Sequence, residues 1–418
     1  VEIINKYSPG RPVSHNYMGH FTEFDHREVS QDLEIAAWDN YPLGFLQDMQ
    51  VIAREDKKLL QDCYRIGDPD FQAYHHDLYR GMGRLWVMEQ QPGTVNWAKY
   101  NPIPLKGAVR LWSWEAFAHD AEVVSYFRWR QAPYAQEQMH AGLMYRDNTP
   151  APGQEEAQQV SEEIEKIEMP ATEQSPIALV HDYEACWMTE LDGQTHDFHY
   201  TRLLLDFYKA VRMNGGSLDI VGKNADFTGY KLVIVPSFVH FQEEDLQRVI
   251  KSGAQILAGP RTGTKTPDFQ LPPELSLEGL GFQVRRVDAL PRDLPVPVVW
   301  NGIKGNFSVW REHGLTSGVS EGKSSDGMAV LTSGNQGSYL CGWPDQKLLN
   351  AIMKNQMQLA GLDVVELPEY LRVRRRGNLL FFTNYGTQEI SIPEVYQGEL
   401  LLGKRTLSQA DISILKIN

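Results

Sequence analysis

The first 146 residues repeat one unit four times: a short apolar run that ends in polar or aromatic residues and is followed by a helical stretch or a loop. The four runs lie in RPVSHNYMGHF, LEIAAWDNYPLG, GRLWVMEQQPG and AEVVSYFRWRQ. FQAYHHDLYRGMG, before the third run, is typical of a helix closed by glycine. Alternating strands and helices predict a parallel sheet, as in a (β/α)₈ barrel, which carries its functional groups at the C-terminal ends of its strands.

The number of these units limits what the segment can form. A complete barrel has eight strands and takes about 250 residues, so four strands account for half of it. Half a barrel would expose an apolar edge and its interior to water. We therefore expect residues 1–146 to be half of a TIM barrel, with the other half supplied by sequence upstream of Val1 or by a second chain.

The remaining sequence predicts three further segments. Residues 147–175 begin with a Pro-rich break and continue as a charged helix, which we interpret as a linker. Residues 176–366 alternate strands and helices again and predict an open α/β domain of the flavodoxin or amidotransferase type. Residues 367–418 contain only strand patterns and predict a small antiparallel β domain, a β-sandwich.

Composition excludes several classes of protein. A net charge of −14 argues against a nucleic-acid partner, and no apolar run is long enough for a membrane span. Cys63, Cys186 and Cys341 are odd in number and form no CxxC pair, which argues against a disulfide framework or a zinc knuckle. We expect a cytoplasmic protein without a metal or cofactor.

Glu89 is the first candidate for a catalytic group. It follows the apolar run LWVM and precedes a Pro-Gly break, so it stands at the end of a predicted buried strand. A carboxylate that acts as a nucleophile must be ionised and rigidly placed. The end of a buried strand would hold such a nucleophile rigidly. Considered alone, Glu89 could equally cap or salt-bridge a neighbouring loop.

A longer stretch around Glu89 resembles a known family. Residues 87–143, from VMEQQPGTVNWAKYNP to QEQMHAGL, resemble the catalytic half-barrel of the β-galactosidases of glycoside hydrolase family 42. WDNYPLG fits the same family, and LVHDYEACW resembles the start of its trimerisation domain. The resemblance implies a retaining β-galactosidase that hydrolyses terminal, non-reducing β-D-galactosides through a covalent galactosyl-Glu89 intermediate. It also implies that residues 1–146 are strands 5–8, the C-terminal half of the catalytic TIM barrel, and that the protein is a homotrimer.

The resemblance also implies the residues that bind the sugar. Trp97 would offer its indole face to the pyranose, and Glu137 with His140 would hold the galactose hydroxyls. Their spacing of three predicts that the last two share one face of a helix. Tyr41 and Phe127 match positions that line the sugar subsite. Core packing, or a solvated helix pair for Glu137 and His140, is the alternative for these side chains.

The sequence departs from the family at the general acid/base. In the family this residue is a Glu preceded by Asn, and no Asn-Glu dipeptide occurs in the 418 residues. We therefore expect the acid/base to come from the N-terminal half-barrel. The alternative is a non-catalytic remnant that retains a sugar-binding or oligomerisation surface. The aglycone and linkage preference are left open.

Overall fold

The computed structural model describes residues 1–19, 21–52, 56–272, 277, 279–291 and 293–417, without the side chains of 48–52. The chain divides into two compact units. The first unit consists of residues 1–173 together with 367–418, and the second of residues 174–366. The predicted division into four segments stays a prediction.

A four-stranded parallel sheet organises the N-terminal part of the first unit, in the order β1-β2-β3-β4. Its strands are β1 (Ser14–Tyr17), β2 (Ile35–Asn40), β3 (Arg84–Gln90) and β4 (Val123–Tyr126). The helices around it are α1 (Glu2–Tyr7), α2 (His26–Ser30), α3 (Pro42–Ile52), α4 (Lys57–Cys63), α5 (Phe71–Arg80), α6 (Ala108–Ala118) and α7 (Pro152–Ile164). Each strand falls within one of the four predicted runs, and α5 ends before Gly81 as predicted.

The sheet of the second unit has a parallel part and an antiparallel part. Its parallel strands β5 (Ile177–Val180), β6 (Leu218–Val221), β7 (Leu232–Val235) and β8 (Gln255–Ala258) lie in the order β6-β5-β7-β8. Its helices are α8 (Tyr183–Leu191), α9 (Tyr200–Met213), α10 (Glu243–Ser252) and α11 (Gln346–Leu359). Short, wholly apolar strands such as LVIV in β7 are buried on both faces, which suits a parallel sheet covered by helices.

Antiparallel strands that the sequence did not predict extend this sheet to 11 strands within the described residues. They are β9 (Phe282–Ala289), β10 (Val296–Trp300), β11 (Ile303–Thr316), β12 (Val319–Ser324), β13 (Ala329–Ser333), β14 (Ser338–Leu340) and β15 (Gly342–Pro344). The extension begins at β14, which pairs in parallel with β8. The edge of β8 is thereby covered by further strands, so this unit is larger than a simple flavodoxin-like sheet.

The C-terminal residues return to the first unit. They form β16 (Leu371–Arg376), β17 (Leu379–Asn384), β18 (Ile390–Ser391), β19 (Glu399–Leu402), β20 (Thr406–Leu407) and β21 (Asp411–Lys416). Four of them make an antiparallel sheet in the order β16-β17-β21-β19, and β18 pairs with β20. Phe381 and Ile414 of this sheet pack against Trp114 of α6 and Val160 of α7. The helix predicted as a linker, α7, therefore joins the core of the first unit.

Two further sequence expectations concern the whole chain. Cys63, Cys186 and Cys341 are buried and are not joined in disulfides among the described residues. Among the residues described, no helix combines the length and the apolar character that crossing a membrane requires.

Candidate active site

Strand β3 places Glu89 at the C-terminal end of the parallel sheet. Leu85, Val87 and Gln90 of this strand are buried, and Glu89 is half-buried beside them. In the ladder Glu89 lies opposite Asp39 of β2, and Gln90 lies opposite Tyr126 of β4. Because both neighbouring strands pair with β3, its backbone is held on both sides, and the carboxylate has a defined position.

Tyr41 contacts this carboxylate directly. It follows β2 by one residue, and its hydroxyl donates a short hydrogen bond to Oε2 of Glu89. Tyr41 is 6% exposed. Burial, followed by the hydrogen bond to Glu89, raises the pKa of the Tyr41 hydroxyl, so the phenol remains a proton donor at neutral pH. The geometry brings these two predicted site residues together across 48 positions of sequence.

The rings of three more predicted residues form a cluster with Tyr41, in which Trp97 and His140 contact Tyr41 and Phe127 contacts His140. The centroids of Trp97 and His140 each lie 5.7 Å from that of Tyr41, and both pairs are edge-to-face. Phe127 packs edge-to-face on His140 with centroids 5.2 Å apart. Trp97 is 43% exposed, so part of the indole remains open to a ligand. Aromatic side chains packed beside a carboxylate are typical of a carbohydrate-binding subsite.

The imidazole of His140 is almost completely buried beside Tyr41 and Phe127. It is 1% exposed, and within the described residues neither ring nitrogen makes a hydrogen bond of normal geometry. Burial lowers the pKa of its imidazole, so the neutral form, with one donor and one acceptor nitrogen, is favoured. A buried polar group without a partner is costly, and a ligand hydroxyl would satisfy it.

The prediction that Glu137 and His140 lie on a helix is wrong. Residues 134–140 form turns, and Glu137 has a φ of +59°, outside the right-handed helical region. The turns replace a helix because side chains and another loop satisfy the local backbone. Nη2 of Arg128 donates to the Glu137 carbonyl (2.9 Å), and the Ala141 N–H donates to Thr94 (2.8 Å).

The charge of Glu137 acts on Tyr41 and His140, but its ion-pair partner is Arg128. The Glu137 side chain is 46% exposed and pairs with Arg128 at 3.1 Å. The backbone N–H of His140 donates to the carbonyl oxygen of Glu137 at 3.0 Å, which links the two residues through one turn. Two residues of this loop were predicted to contact the sugar. His140 faces Tyr41 and Phe127, and Glu137 lies nearer the solvent.

Asp39 is a charged residue of this site to which the sequence assigned no role. It is 6% exposed, lies opposite Glu89 in the ladder and accepts a hydrogen bond from Nδ2 of Asn16 at 3.1 Å. Burial and then the charge of Glu89 raise the pKa of Asp39 to about 7. The sequence pattern could have identified Asp39 as a site residue, because Asp39 lies near the end of a buried strand, as Glu89 does in β3.

A buried amide network lies beside the carboxylates. Nδ2 of Asn40 donates to Oε1 of both Gln72 and Gln90 at 2.9 Å, and Gln72 donates short hydrogen bonds to Glu115 and the Tyr385 hydroxyl. The network joins β2 and β3 to helices α5 and α6 and to the C-terminal segment. It fixes the strand ends that carry Asp39 and Glu89.

We expect Asp39→Asn to change how stability depends on pH. Because the pKa of Asp39 rises from 3.8 to about 7 on folding, the folded chain holds a proton between these values that the unfolded chain has lost. The unfolding free energy of the wild type therefore falls as pH rises through this window. Relative to the wild type, Asp39→Asn should gain about 2 kcal/mol between pH 5 and pH 8.

Urea unfolding of both proteins at the two pH values measures this change. Asp32→Asn, at an exposed position before β2, controls for the loss of one negative charge. An equal difference between wild type and Asp39→Asn at both pH values would show that the Asp39 carboxyl is not protonated in the folded protein.

Comparison with known proteins agrees with these features. A family model described as Beta-galactosidase, of glycoside hydrolase family 42, matches residues 1–167. A second, described as Beta-galactosidase trimerisation domain, matches residues 175–362. These matches, which agree with the carboxylate and the aromatic rings at the strand ends, place the chain in the class of the glycoside hydrolases. The chain belongs to glycoside hydrolase family 42, and the resemblance found in the sequence is confirmed.

Individual relatives are similar over nearly the whole chain. A curated beta-galactosidase of Thermus thermophilus is 44% identical over 99% of this chain and 64% of its own length. The crystal structure of a beta-galactosidase from the psychrophilic Marinomonas ef1 has a TM-score of 0.94 and 41% identity, covering 100% of this chain and 65% of that one. Another, from the haloarchaeon Halorubrum lacusprofundi, has a TM-score of 0.91 and 32% identity, covering 99% and 65%. The chain thus spans slightly less than two thirds of these relatives.

Proposed function

We propose that the protein containing this chain is a retaining β-galactosidase that hydrolyses terminal, non-reducing β-D-galactosides. Glu89 attacks the anomeric carbon as the glycosidic bond breaks, and the general acid protonates the departing oxygen of the aglycone. Water, deprotonated by the same acid/base residue, then hydrolyses the galactosyl ester with net retention of configuration. The observation that carries the proposal is the Glu89 carboxylate at the end of β3, which accepts a hydrogen bond from Tyr41, whose ring packs on the buried His140.

The surroundings of Glu89 support binding of a sugar. The exposed part of Trp97 offers an apolar face for the C–H groups of a pyranose, and Phe127 with Tyr41 lines the same region. The ring nitrogens of His140 are available for sugar hydroxyls, and Glu137 lies one turn away. A charge-assisted hydrogen bond to a hydroxyl contributes about 1.5–3 kcal/mol when it is desolvated.

The general acid/base, in our proposal, is a Glu of a half-barrel that completes the sheet from outside this chain. The outer edges of β1 and β4 have no partner strand among the described residues, whereas a (β/α)₈ barrel closes with eight strands. The match to the trimerisation domain supports a homotrimer. The cytoplasmic location expected from cysteine usage stays a prediction.

Mechanism-based trapping tests the proposal. The complete protein is incubated with 2-deoxy-2-fluoro-β-D-galactosyl fluoride, whose electron-withdrawing fluorine slows the hydrolysis of a glycosyl ester. We expect inactivation and one added fluorogalactosyl group on Glu89 by peptide mass spectrometry. Labelling of another residue, or product of inverted configuration by NMR, would contradict the proposal. An unlabelled, inactive protein would favour the non-catalytic alternative.

Gly44 gives an indirect test of Trp97 as a sugar platform. Gly44 lies in α3 against the indole, and an added Cβ would come within 2.7 Å of Cζ2 of Trp97. Alanine favours a helix over glycine by about 1 kcal/mol, so α3 itself should tolerate Gly44→Ala. We expect the displaced indole to raise KM for galactosides by roughly three- to tenfold, equivalent to about 1 kcal/mol of binding.

A double-mutant cycle provides the control for this change. In a Trp97→Ala background the added methyl has no indole to displace, so Gly44→Ala should leave KM unchanged. An equal increase of KM in both backgrounds would mean that Gly44 acts through the position of α3 and not through Trp97.

A further inference from the structure

Three potential metal ligands meet at the C-terminal edge of the parallel strands in the second unit. Asp182 follows β5, Glu184 lies in the first turn of α8, and His240 follows β7. One ligand atom from each lies within 4.8 Å of the others. β5 and β7 are neighbours, and the chain leaves β5 toward β6 on one side of this pair and β7 toward β8 on the other. Open α/β sheets bind ligands in the crevice at such a switch point.

The imidazole of His240 is buried beside two carboxylates. It is 5% exposed, and within the described part of the chain neither of its ring nitrogens makes a hydrogen bond of normal geometry. Its ring packs edge-to-face on Phe238 at 4.6 Å, which sets its orientation. Nε2 points at the two carboxylates, 3.3 Å from Oε2 of Glu184 and 3.6 Å from Oδ1 of Asp182. A buried nitrogen directed at two carboxylates is placed to coordinate an ion between them.

The spacing of these atoms suits a small divalent ion. Zinc binds nitrogen and carboxylate oxygen at about 2.0–2.2 Å, so two ligand atoms of a tetrahedral site lie roughly 3.3 Å apart. The distances from Nε2 to the two carboxylates, 3.3 and 3.6 Å, are close to this value. Asp182 is also held rigidly, because its side chain accepts from the Ala185 N–H at 2.8 Å and its own N–H donates to the Tyr200 hydroxyl at 2.9 Å.

Lys223 already places a positive charge beside these carboxylates. Its ammonium donates a short hydrogen bond to Glu184 and lies 3.8 Å from Oδ2 of Asp182. The Lys223 side chain is 33% exposed, so it can turn toward the solvent when another cation binds. Lys223 is therefore a competitor of the ion, which provides a variant that should bind more tightly.

We propose that Asp182, Glu184 and His240 form a site for a divalent transition metal, with Zn²⁺ the best matched ion. Two carboxylates and an imidazole favour such an ion over Mg²⁺, which prefers oxygen ligands alone. A bound ion would tie β5 and α8 to the loop after β7, so its role is to stabilise the second unit. The site is independent of Glu89 and of the proposed hydrolysis.

Zinc titration by calorimetry tests the site, using the metal-stripped full chain and four variants. His240→Gln and Asp182→Asn each remove one ligand, and asparagine retains the capacity to cap α8. Lys223→Met removes the competing charge, and His196→Ala controls for zinc held by an exposed histidine. We expect one equivalent of zinc on the wild type, binding at least about tenfold weaker in the two ligand variants, and binding about tenfold tighter in Lys223→Met.

Spectra of the cobalt-loaded chain give a second measurement. Tetrahedral Co²⁺ absorbs strongly in the visible, and we expect this band for the wild type and His196→Ala but not for Asp182→Asn. Mg²⁺ at the same concentration should not displace the cobalt. Absence of zinc binding by the wild type, or equal affinities for the wild type, Asp182→Asn and His240→Gln, would overturn the proposal. If His240→Gln does not fold, Asp182→Asn decides the outcome.

Discussion

Glu89→Gly is expected to abolish the turnover of galactosides by the complete protein. Loss of the attacking carboxylate removes the covalent route, and removal of a nucleophile typically lowers kcat by roughly 10⁴-fold or more. Binding of the sugar should persist, because Trp97, Phe127 and His140 are unchanged by the substitution. Steady-state kinetics with an activated aryl β-galactoside measures kcat, and calorimetry with galactose measures the retained binding.

Added azide separates loss of the nucleophile from general damage to the site. In Glu89→Gly the small anion can enter the space left by the side chain and attack the anomeric carbon from the same face. We expect partial rescue of the rate with an activated aryl galactoside, and a product, α-galactosyl azide, of configuration opposite to the substrate. A rate near that of the wild type without azide would show that Glu89 is not the nucleophile.

Glu122→Gly is a matched control for this experiment. Glu122 lies beside the opposite end of β3, where it is exposed and pairs with Arg84 at 2.7 Å. An exposed ion pair contributes little to stability, so kcat should stay near the wild-type value and azide should have no effect. Azide rescue in this variant would mean that the anion acts elsewhere in the protein.

Tyr41→Phe is expected to have the second largest effect on turnover. The substitution removes the hydroxyl that donates to Oε2 of Glu89 and leaves the ring that packs on Trp97 and His140. A hydrogen bond to a charged group contributes about 1.5–3 kcal/mol, so we expect kcat to fall by roughly 10- to 100-fold. KM should change by less than kcat, because the aromatic wall of the subsite remains.

Tyr370→Phe removes a comparable hydroxyl far along the chain. That hydroxyl donates to Oδ2 of Asp62 at 2.7 Å, so it is also a tyrosine bound to a carboxylate. Its loss should leave kcat within about twofold of the wild type. A polar pair near the surface contributes at most about 1 kcal/mol to the stability of the fold. An unchanged kcat in Tyr41→Phe would show that the contact with Glu89 does not serve catalysis.

Local patterns predicted the elements on which the site is built. Each strand of the parallel sheet in the first unit lies in a short apolar run, and the C-terminal ends of parallel strands must meet at one edge. The position of Glu89 after LWVM was therefore sufficient to predict where its carboxylate stands. The sequence motifs around Trp97, Glu137 and His140 were enough to predict the family, because tryptophan-rich motifs of that length rarely coincide by chance.

Errors arose where contacts between distant segments override local preference. The spacing of Glu137 and His140 favours a helix, but hydrogen bonds from Arg128 and to Thr94 hold this segment in turns. The antiparallel strands β9 to β15 were not predicted, because their positions depend on β8 offering an edge for β14. Pairing with a remote strand leaves little trace in a local pattern.

The sequence by itself determined the repeating strand and helix order, the carboxylate at the end of β3 and the family. Apolar periodicity and rare sequence motifs are local properties, and they can be recognised without knowledge of the fold. Only the tertiary structure decided that Tyr41 bonds Glu89, that Asp39 is buried against the same charge, and that Asp182, Glu184 and His240 converge. Contacts and burial depend on which elements pack together, and packing joins residues that no spacing along the chain relates.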